Sequence, residues 1–458
     1  MPSTVAATVF AGKLKQRMTK ARQQGATLSS AADRYTRPDQ LFAAAASGDV
    51  GLLSLKWLLE WAASGRPLPR RQELPDGALL TAERLRAIHD SAPAHVRAAV
   101  LPVIAVSYCW LTPQLPDPDG EQLRLVASIL GKQQTMHYGE YFEDMCERAT
   151  PRPPRPLFAS HHCVTVPFLR EPAHRGVFWD WASIYQKDPA LFHQTQSYED
   201  SRSEAQTASF KRALEGTMDL WYAHKGTVVL CVTKLPEGCT VRPYASRGWT
   251  TYERCSAELI KPVEAYVVEE GQTFGEGAWL WPMCIDAARV DEAGAGRRPP
   301  APPAVFAELL ESCQFTNQAD SSMVSQLYTK VATSVLRATT TLELDSMELQ
   351  TGDGRRVAQA LALCPAVEEL SLVYTPLTTA EVGAIFAVAL PTVRRLQLGE
   401  SQLGEAGGVA LAEAIGKGAV PSLQWLYVGA NQLGEAGGVA LTKSCEDMHV
   451  ELHGRHRQ

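Results

Sequence analysis

The chain has 458 residues, a net charge of −6 and 45% hydrophobic residues, values typical of a soluble globular protein of two or three domains. No excess of basic residues indicates nucleic-acid binding, and no run of about 18 apolar residues predicts a membrane span. The ten cysteines form no Cys-x-x-Cys pair and follow no secretory signal. We therefore expect free thiols, no metal site and a reducing compartment, the cytoplasm.

Residues 1–97 are predicted to form a helical N-terminal region. Its first 32 residues carry five basic side chains and no acidic one. Such a composition is typical of an organelle transit peptide, but also of a solvated basic helix or a partly disordered segment. These alternatives stay open, and organelle targeting is the less favoured one.

Residues 98–290 alternate strand-like and helix-like segments. Four short apolar runs lie at 103–106, 177–179, 227–232 and 265–268. Apolar strands without polar alternation, separated by helices, predict an α/β domain with a parallel sheet that is covered on both faces. Ligands of such sheets bind beyond the carboxyl ends of the strands, where Ser107 and Asp180 follow the first two runs. We therefore expect these two side chains to line one crevice.

The segment 247–253 (RGWTTYE) predicts a helix that buries a carboxylate. A helix starting near Trp249 places Glu253 on a face that is otherwise apolar. A buried acid must be paired or hydrogen-bonded, or its pKa must rise. Functional sites and structural ion pairs both use this environment. Arg254 and Glu258, one turn apart on the outer side, are predicted to form a solvated ion pair.

Three short motifs follow one another in this region: VSYCW at 106–110, FWDWASIYQ at 178–186 and RGWTTYE at 247–253. Together they resemble the heterokaryon-incompatibility domain, whose motifs read LSYCWG, WIDALCIDQ and RxWTxQE. That family is considered a relative of Toll/interleukin-1-receptor (TIR) domains, so the resemblance implies a flavodoxin-like, TIR-like parallel sheet. The chain departs from the family at Leu111, which replaces a glycine, and in the second half of the second motif.

The resemblance implies signalling or self/non-self recognition, with a domain that self-associates. Some TIR relatives cleave NAD with a glutamate in a W-x-x-x-E setting, and Trp249 and Glu253 match that spacing. Glu253 is then the candidate catalytic carboxylate, which stabilises the developing sugar cation. Ser107, Asp180 and Trp249 are candidates for binding NAD as a substrate, and no cofactor is required. The alternative, which we favour, is structural: Glu253 accepts hydrogen bonds from Arg247 or from backbone amides.

The C-terminal part has a repeated sequence. Residues 291–303 are rich in Pro and Gly and predict a semi-rigid linker, and 304–337 predict capping helices. In 338–458 the decapeptide QLGEAGGVAL occurs at 402–411 and again at 432–441. The pattern L-x-x-L-x-L-x-x-N-x-L fits fully at Leu423, and three weaker copies precede it at intervals of 28, 26 and 30 residues, starting at Thr339, Val367 and Val393. It resembles ribonuclease-inhibitor-type leucine-rich repeats, an α/β solenoid of strand–helix units.

The residues between the inward leucines face the concave side of such a solenoid. Exposed Trp, Tyr and Arg side chains dominate interface energetics, so we expect this side to bind a protein partner. The candidate partner-binding residues are Glu343, Asp345, Glu369, Arg395, Gln397, Trp425 and Tyr427. An alternative that stays open is that the tail 445–458 folds back over Trp425 and Tyr427. Asn431 is expected to bond to turn backbone, with Ser401 and Thr375 replacing it in earlier copies.

These observations predict an intracellular recognition protein. Its leucine-rich repeats would bind a protein partner, and its TIR-like domain would self-associate or signal. The first alternative is an NAD glycohydrolase that uses Glu253. The second is a non-catalytic protein-binding scaffold.

Overall fold

The computed structural model describes residues 33–135, 171–262, 264–268, 278–289 and 297–454. The basic segment 1–32 and the first part of the predicted linker, 291–296, lie outside these ranges. Among the helices within them, none combines the length and the apolar character needed to cross a bilayer. The chain is a mixed α/β protein with two largely parallel sheets.

A six-stranded sheet forms the first half of the molecule. Its strands are β1 (Leu52–Ser54), β2 (Leu79–Leu80), β3 (Val103–Tyr108), β4 (Gly176–Phe178), β5 (Val228–Val232) and β8 (Cys284–Asp286). They lie in the order β2-β1-β4-β3-β5-β8, and the four strands from β4 to β8 are parallel. The chain runs from β3 to β4 on one side and then crosses to β5 on the other, so its direction of winding reverses at β3.

Two features of this sheet differ from the sequence-based expectation. The N-terminal region, expected to be helical, also contributes β1 and β2, which join the sheet antiparallel. The apolar run at 265–268 was expected to be a strand of the same parallel sheet, and this was wrong. It lies in β6 (Glu264–Val268), which pairs antiparallel with β7 (Ala278–Pro282) in a separate hairpin. The fourth parallel strand is β8.

Helices cover both faces of this sheet, as the strand composition predicted. Along β3 the side chains alternate: Val103 and Ala105 pack into one apolar cluster, whereas Ile104 and Val106 pack into the other. The helices of this half are α1 (Pro38–Ala46), α2 (Leu55–Ala63), α3 (Ala82–Ser91), α4 (Ala94–Ala99), α5 (Glu121–Thr135), α6 (Asp180–Ser183), α7 (Thr195–Glu199), α8 (Glu204–Gly216), α9 (Met218–Ala223) and α10 (Gly248–Ala257).

The second half begins with two helices, α11 (Pro303–Glu311) and α12 (Asp320–Ala338), in the segment where capping helices were expected. A five-stranded parallel sheet follows, with its strands in chain order across the sheet. They are β9 (Thr341–Glu343), β10 (Glu369–Ser371), β11 (Arg395–Gln397), β12 (Trp425–Tyr427) and β13 (Glu451–His453). Helices α13 (Asp353–Leu361), α14 (Thr379–Ile385), α15 (Gly404–Gly416) and α16 (Gly434–Asp447) alternate with these strands.

The strand–helix units share one backbone pattern. Leu342, Leu370, Leu396 and Leu426 lie in register and are fully buried. Non-glycine residues with positive φ recur at intervals of 28, 26 and 30 residues, namely Ser346, Tyr374, Glu400 and Ala430. These are the intervals of the sequence repeat, so each copy makes its turn with the same backbone conformation.

Buried polar side chains hold these turns, as expected from the sequence. The Asn431 amide donates to Val428 O at 3.0 Å, and its Oδ1 accepts from Ser401 N at 2.9 Å. In the preceding copies, the hydroxyl of Ser401 donates to Leu372 O and that of Thr375 to Leu344 O, both at 2.7 Å. Each side chain therefore satisfies backbone groups that would otherwise be buried without a partner.

One apolar core runs through both halves. Helix α12 packs against α9, α10 and α11. The same continuous cluster includes Val229 of the first sheet, Tyr252 of α10, Val331 of α12 and Leu342 of the repeat sheet. The two sheets are therefore joined by a packed interior.

Candidate functional site

The three sequence motifs meet at the carboxyl ends of β3 and β4. Ser107 lies in β3, and Trp110 follows that strand. Asp180 begins α6, Arg247 immediately precedes α10, and Glu253 lies within α10. We call these five residues the motif cluster. Parallel strands end at the same edge of a sheet, which brings the first two motifs together. Helix α10, which follows β5 in the chain, contacts β3 and supplies the third motif.

Ser107 and Glu253 form the centre of the motif cluster. The Ser107 hydroxyl donates to Glu253 Oε2 at 2.6 Å, and Tyr244 Oη lies 2.5 Å from the same hydroxyl. Ser107 is 0% exposed and Glu253 is 6% exposed. The sequence correctly placed this carboxyl group in the interior. Its hydrogen-bond donor is Ser107, whereas Arg247 or backbone amides were expected as donors.

Asp180 connects the first two motifs. It accepts from its neighbour Trp181 N at 2.6 Å and from the Trp110 indole at 3.4 Å. The Trp110 and Trp181 rings make an edge-to-face contact at 5.6 Å. Gln186, the last residue of the second motif, donates to Asp180 O at 3.0 Å. The aspartate is thus partly exposed but held in one orientation.

Arg247 connects the first and third motifs. Its guanidinium donates to Trp110 O at 2.8 Å and to Arg242 O at 3.2 Å. Both acceptors are backbone carbonyls, so Arg247 fixes the loop after β3 against the entry to α10. Backbone positioning of this kind is a structural role.

Both carboxyl groups of the motif cluster are harder to ionise than usual. Burial raises the pKa of Glu253 well above its ordinary value, and the nearby Asp180 carboxylate raises it further. Hydrogen bonds from Ser107 and Tyr222 oppose this shift without cancelling it. Burial likewise raises the pKa of Asp180. The raised pKa of Glu253 favours its protonated form, an uncharged hydrogen-bonding group.

Trp249, the third candidate for NAD binding, does not join Ser107, Asp180 and the candidate catalytic residue Glu253. Its indole donates to Asp320 Oδ2 of α12 at 3.0 Å, and its ring meets Tyr252 edge to face at 6.0 Å. It therefore links α10 to α12. The structure brings Ser107, Asp180 and Glu253 together and places Trp249 at a different contact.

The burial of Glu253 and Ser107 limits the chemistry that the motif cluster can perform. Among the described residues, the hydroxyls of Ser107 and Tyr244 fill the space beside the inward-turned Glu253 carboxyl. A small cavity in the described part of the chain is lined by other residues, namely Leu68, Leu115, Pro116, Asp117, Trp179 and Trp181. In the described ranges, no three or more His, Cys, Asp or Glu side chains are arranged to hold a metal ion. The geometry favours a structural role for Glu253 over a catalytic one.

The second candidate site is the outward face of the repeat sheet, which we call the concave face after the leucine-rich repeats that the sequence resembles. Two columns of side chains cross it in register, one through Thr341, Glu369, Arg395, Trp425 and Glu451 and one through Glu343, Ser371, Gln397, Tyr427 and His453. The expected phase of the repeats is therefore correct. Every residue predicted to bind a partner lies in these columns, except Asp345, which lies two residues after Glu343.

Contacts within the protein occupy the acidic end of the concave face. Glu343 accepts from Lys225 of the first half at 2.9 Å. Asp345 accepts from Ser371 at 2.5 Å and from Val373 N at 2.8 Å, and burial raises its pKa to about 6. Because both carboxyl groups already have partners, this end has little capacity to bind a further cation.

The other end presents aromatic side chains. Trp425 and Tyr427 have nearly parallel rings 6.0 Å apart, and His453 lies 5.2 Å from Trp425. The Arg395 guanidinium lies 4.8 Å from the centre of the Trp425 ring. We call these four residues the aromatic patch. Each is at least partly exposed, so the patch is accessible to a partner.

The chain after α16 does not fold back over the patch within the described residues. It continues as β13, whose residues Glu451, Leu452 and His453 pair parallel with Trp425, Leu426 and Tyr427. The sequence analysis missed this strand, and with it His453. The spacing of Leu452 from Leu426, similar to that between the earlier copies, was the signal that could have shown it.

A buried ionic cluster around Glu258 was also not predicted from the sequence. Glu258, expected to be half of a solvated pair, is 1% exposed. It binds Arg254 at 2.9 Å, Arg298 at 3.1 Å and Arg356 at 3.9 Å. Burial acts to raise the pKa of Glu258, but the three guanidinium groups outweigh it and lower the pKa. Glu258 is therefore a buried carboxylate that stays charged.

No protein-family model, curated protein or solved structure matches the chain. The function must therefore be inferred from the motif cluster, the concave face and the contacts between the two halves of the molecule.

Proposed function

We propose that the protein recognises a protein partner through the concave face of a leucine-rich-repeat solenoid and signals through a TIR-like, heterokaryon-incompatibility-type domain that self-associates. The observation that carries this proposal is the aromatic patch, where the partly exposed side chains of Trp425, Tyr427 and His453 lie beside the exposed Arg395. Trp, Tyr and Arg are the residue types that dominate binding energy at protein interfaces.

Several features support the solenoid. The strands are parallel and in chain order, helices alternate with them, and a left-handed turn residue recurs at the repeat spacing. The Asn431 amide bonds to the backbone of its own copy and of the preceding one. Stacked units of this kind bury a continuous core and leave an extended concave surface for binding.

The TIR-like domain has a different kind of support. Its four parallel strands follow the order 2-1-3-4, which is the start of the flavodoxin-like order 2-1-3-4-5. The three motifs that carry the resemblance are distant in sequence but contact one another directly, through Ser107–Glu253, Trp110–Asp180 and Arg247–Trp110. The free thiols of the eight described cysteines support a reducing compartment such as the cytoplasm.

Chemical cross-linking of the full-length chain to the proteins around it tests whether it recognises a partner. The wild type, Trp425→Ala and Lys417→Ala would be compared, since Lys417 is an exposed side chain at the end of α15, on the opposite side of the repeats. We expect one protein to be captured by the wild type and by Lys417→Ala and to be lost with Trp425→Ala. Equal capture by all three chains would reject the aromatic patch as the binding surface.

An NAD glycohydrolase is the second candidate, because Ser107, Asp180 and Glu253 do lie together at the carboxyl edge of a parallel sheet. The enclosure of Glu253 argues against it. We expect the full-length chain at high concentration to release no nicotinamide from NAD, as measured by chromatography. Release by the wild type that is abolished in Glu253→Gln would establish the glycohydrolase instead. A negative result leaves the signalling protein and the simpler binding scaffold.

A further inference from the structure

Helix α10 contacts both the motif cluster and the repeat half of the molecule. Near its start the Trp249 indole donates to Asp320 of α12 at 3.0 Å. In its middle, Glu253 accepts from Ser107 of the first sheet. Glu258, the residue after its end, binds Arg356 of α13, the first helix of the repeats. One short helix thus joins the two candidate sites.

The predicted linker takes part in this junction. Arg297 is 4% exposed, and its guanidinium donates to Glu258 O at 3.1 Å and to Glu343 O. The first acceptor lies at the carboxyl end of α10, where the helix dipole favours a positive charge. The second belongs to β9, the first strand of the concave face. Arg298 adds its ion pair to Glu258 at 3.1 Å.

These contacts make the segment 297–303 a fixed joint. Its two arginines are bonded to α10 and to β9, and Ala301, which follows them, is fully buried. The semi-rigid spacer expected from the Pro/Gly composition is replaced here by a packed and hydrogen-bonded segment. Glu258 is shared by Arg254, Arg298 and Arg356, and Arg254 also binds Asp286 at 3.3 Å, so removal of the Glu258 charge mainly removes the carboxylate that faces the largely buried Arg356 guanidinium.

We propose that α10 is a coupling element, held at its carboxyl end by Glu258 and Arg297, through which a change at the first repeat alters the motif cluster. This inference extends the proposed function, because partner binding on the repeats is the event that such coupling would report. The coupling itself is a property of the chain alone and is measurable without a partner.

Hydrogen exchange followed by mass spectrometry on the full-length chain tests the coupling. The variant is Glu258→Gln, and the control is Glu413→Gln, an exposed carboxylate whose contact is Lys417 one turn away. We expect Glu258→Gln to accelerate exchange about tenfold in 244–253, at the motif cluster, and in α13. Exchange in α2, which packs on the opposite face of the sheet, should stay at its wild-type rate, and the control should change neither region.

Two results would overturn the coupling. One is acceleration restricted to 254–262, 297–303 and α13, with 244–253 unchanged. The other is a uniform acceleration that includes α2, which reports a loss of global stability only. If Glu258→Gln does not fold, Arg298→Gln replaces it, because that side chain is 40% exposed and supplies one of three pairs. Equal partner capture by the wild type and Trp425→Ala, together with intact coupling, would reject the proposed function and leave this inference standing.

Discussion

Glu253 and Glu258 lie five residues apart and are both buried, but their pKa values are shifted in opposite directions. Glu253 meets hydroxyl groups and a neighbouring aspartate, so burial raises its pKa. Glu258 meets three guanidinium groups, which lower its pKa despite burial. The composition of the surroundings decides the charge of each residue, since both are almost completely removed from solvent.

The raised pKa of Glu253 leads to a prediction at the residue scale. We expect Glu253→Gln to change the free energy of unfolding by less than about 1 kcal/mol below the unfolded pKa of Glu253, where the carboxyl group is uncharged in both states and an amide reproduces it. Glu253→Ala should cost about 1–3 kcal/mol by leaving the Ser107 hydroxyl without its acceptor. Urea unfolding of the three chains measures both effects.

The pH dependence provides the internal control. The folded pKa of Glu253 lies above its unfolded value, so the stability it contributes is fully present below the unfolded pKa and is lost as pH rises through the folded pKa. Relative to Glu253→Gln, the wild type should therefore become less stable as pH rises. A wild type that gains stability over Glu253→Gln with rising pH would show that the group is ionised in the folded protein.

At the scale of elements, the repeated decapeptide has a packing role. Its glycines allow α15 and α16 to approach closely: a Cβ added to Gly408 would lie 3.2 Å from Gly437 Cα, and one added to Gly437 would lie 2.9 Å from Glu405 O. A Cβ on the adjacent Gly438 would meet no atom within 4 Å. The two neighbouring glycines are therefore under different constraints.

This difference predicts opposite effects of one substitution. Gly437→Ala should destabilise the protein by about 1–3 kcal/mol, because the methyl group collides with backbone. Gly438→Ala should be neutral or stabilising by up to about 1 kcal/mol, because alanine favours the helix. Thermal unfolding measures both variants. A similar shift of the midpoint in the same direction for both would contradict the close helix packing.

The sequence predicted where the strands lie better than it predicted which strands pair with one another. Apolar runs located β3, β4 and β5, and the leucine spacing located β9 to β12, because burial imposes a periodicity that one segment shows alone. The run at 265–268 was assigned to the wrong sheet, since periodicity does not identify the strand that pairs with it.

Ionic contacts between residues that are distant in sequence could not be predicted from periodicity either. Arg254 lies one turn from Glu258 and suggested a solvated pair, whereas Arg298 and Arg356 are 40 and 98 residues away in sequence. Inside the motif cluster the burial of Glu253 was predictable from its helical face. Its pairing with Ser107 depends on how α10 crosses the sheet.

At the scale of the molecule, the two halves form one structural unit. They share an apolar core, and they are also held together by the buried ionic cluster around Glu258 and by the fixed joint 297–303. Lys225 of the first half binds Glu343 of the concave face, and Tyr252 and Val331 belong to one apolar cluster. A fragment cut between the halves would expose that cluster, so self-association is best measured by light scattering on the full-length chain. The partner recognition that we propose would then use the aromatic end of the concave face.

Titration calorimetry with the partner identified by cross-linking tests this account most directly. Trp425 lies at the centre of the aromatic patch, in contact with Arg395, Tyr427 and His453. We predict that Trp425→Ala weakens the affinity by about 2 kcal/mol or more, roughly 30-fold, as expected for a central aromatic anchor, while Lys417→Ala binds like the wild type. An affinity of Trp425→Ala equal to that of the wild type would contradict recognition through the concave face.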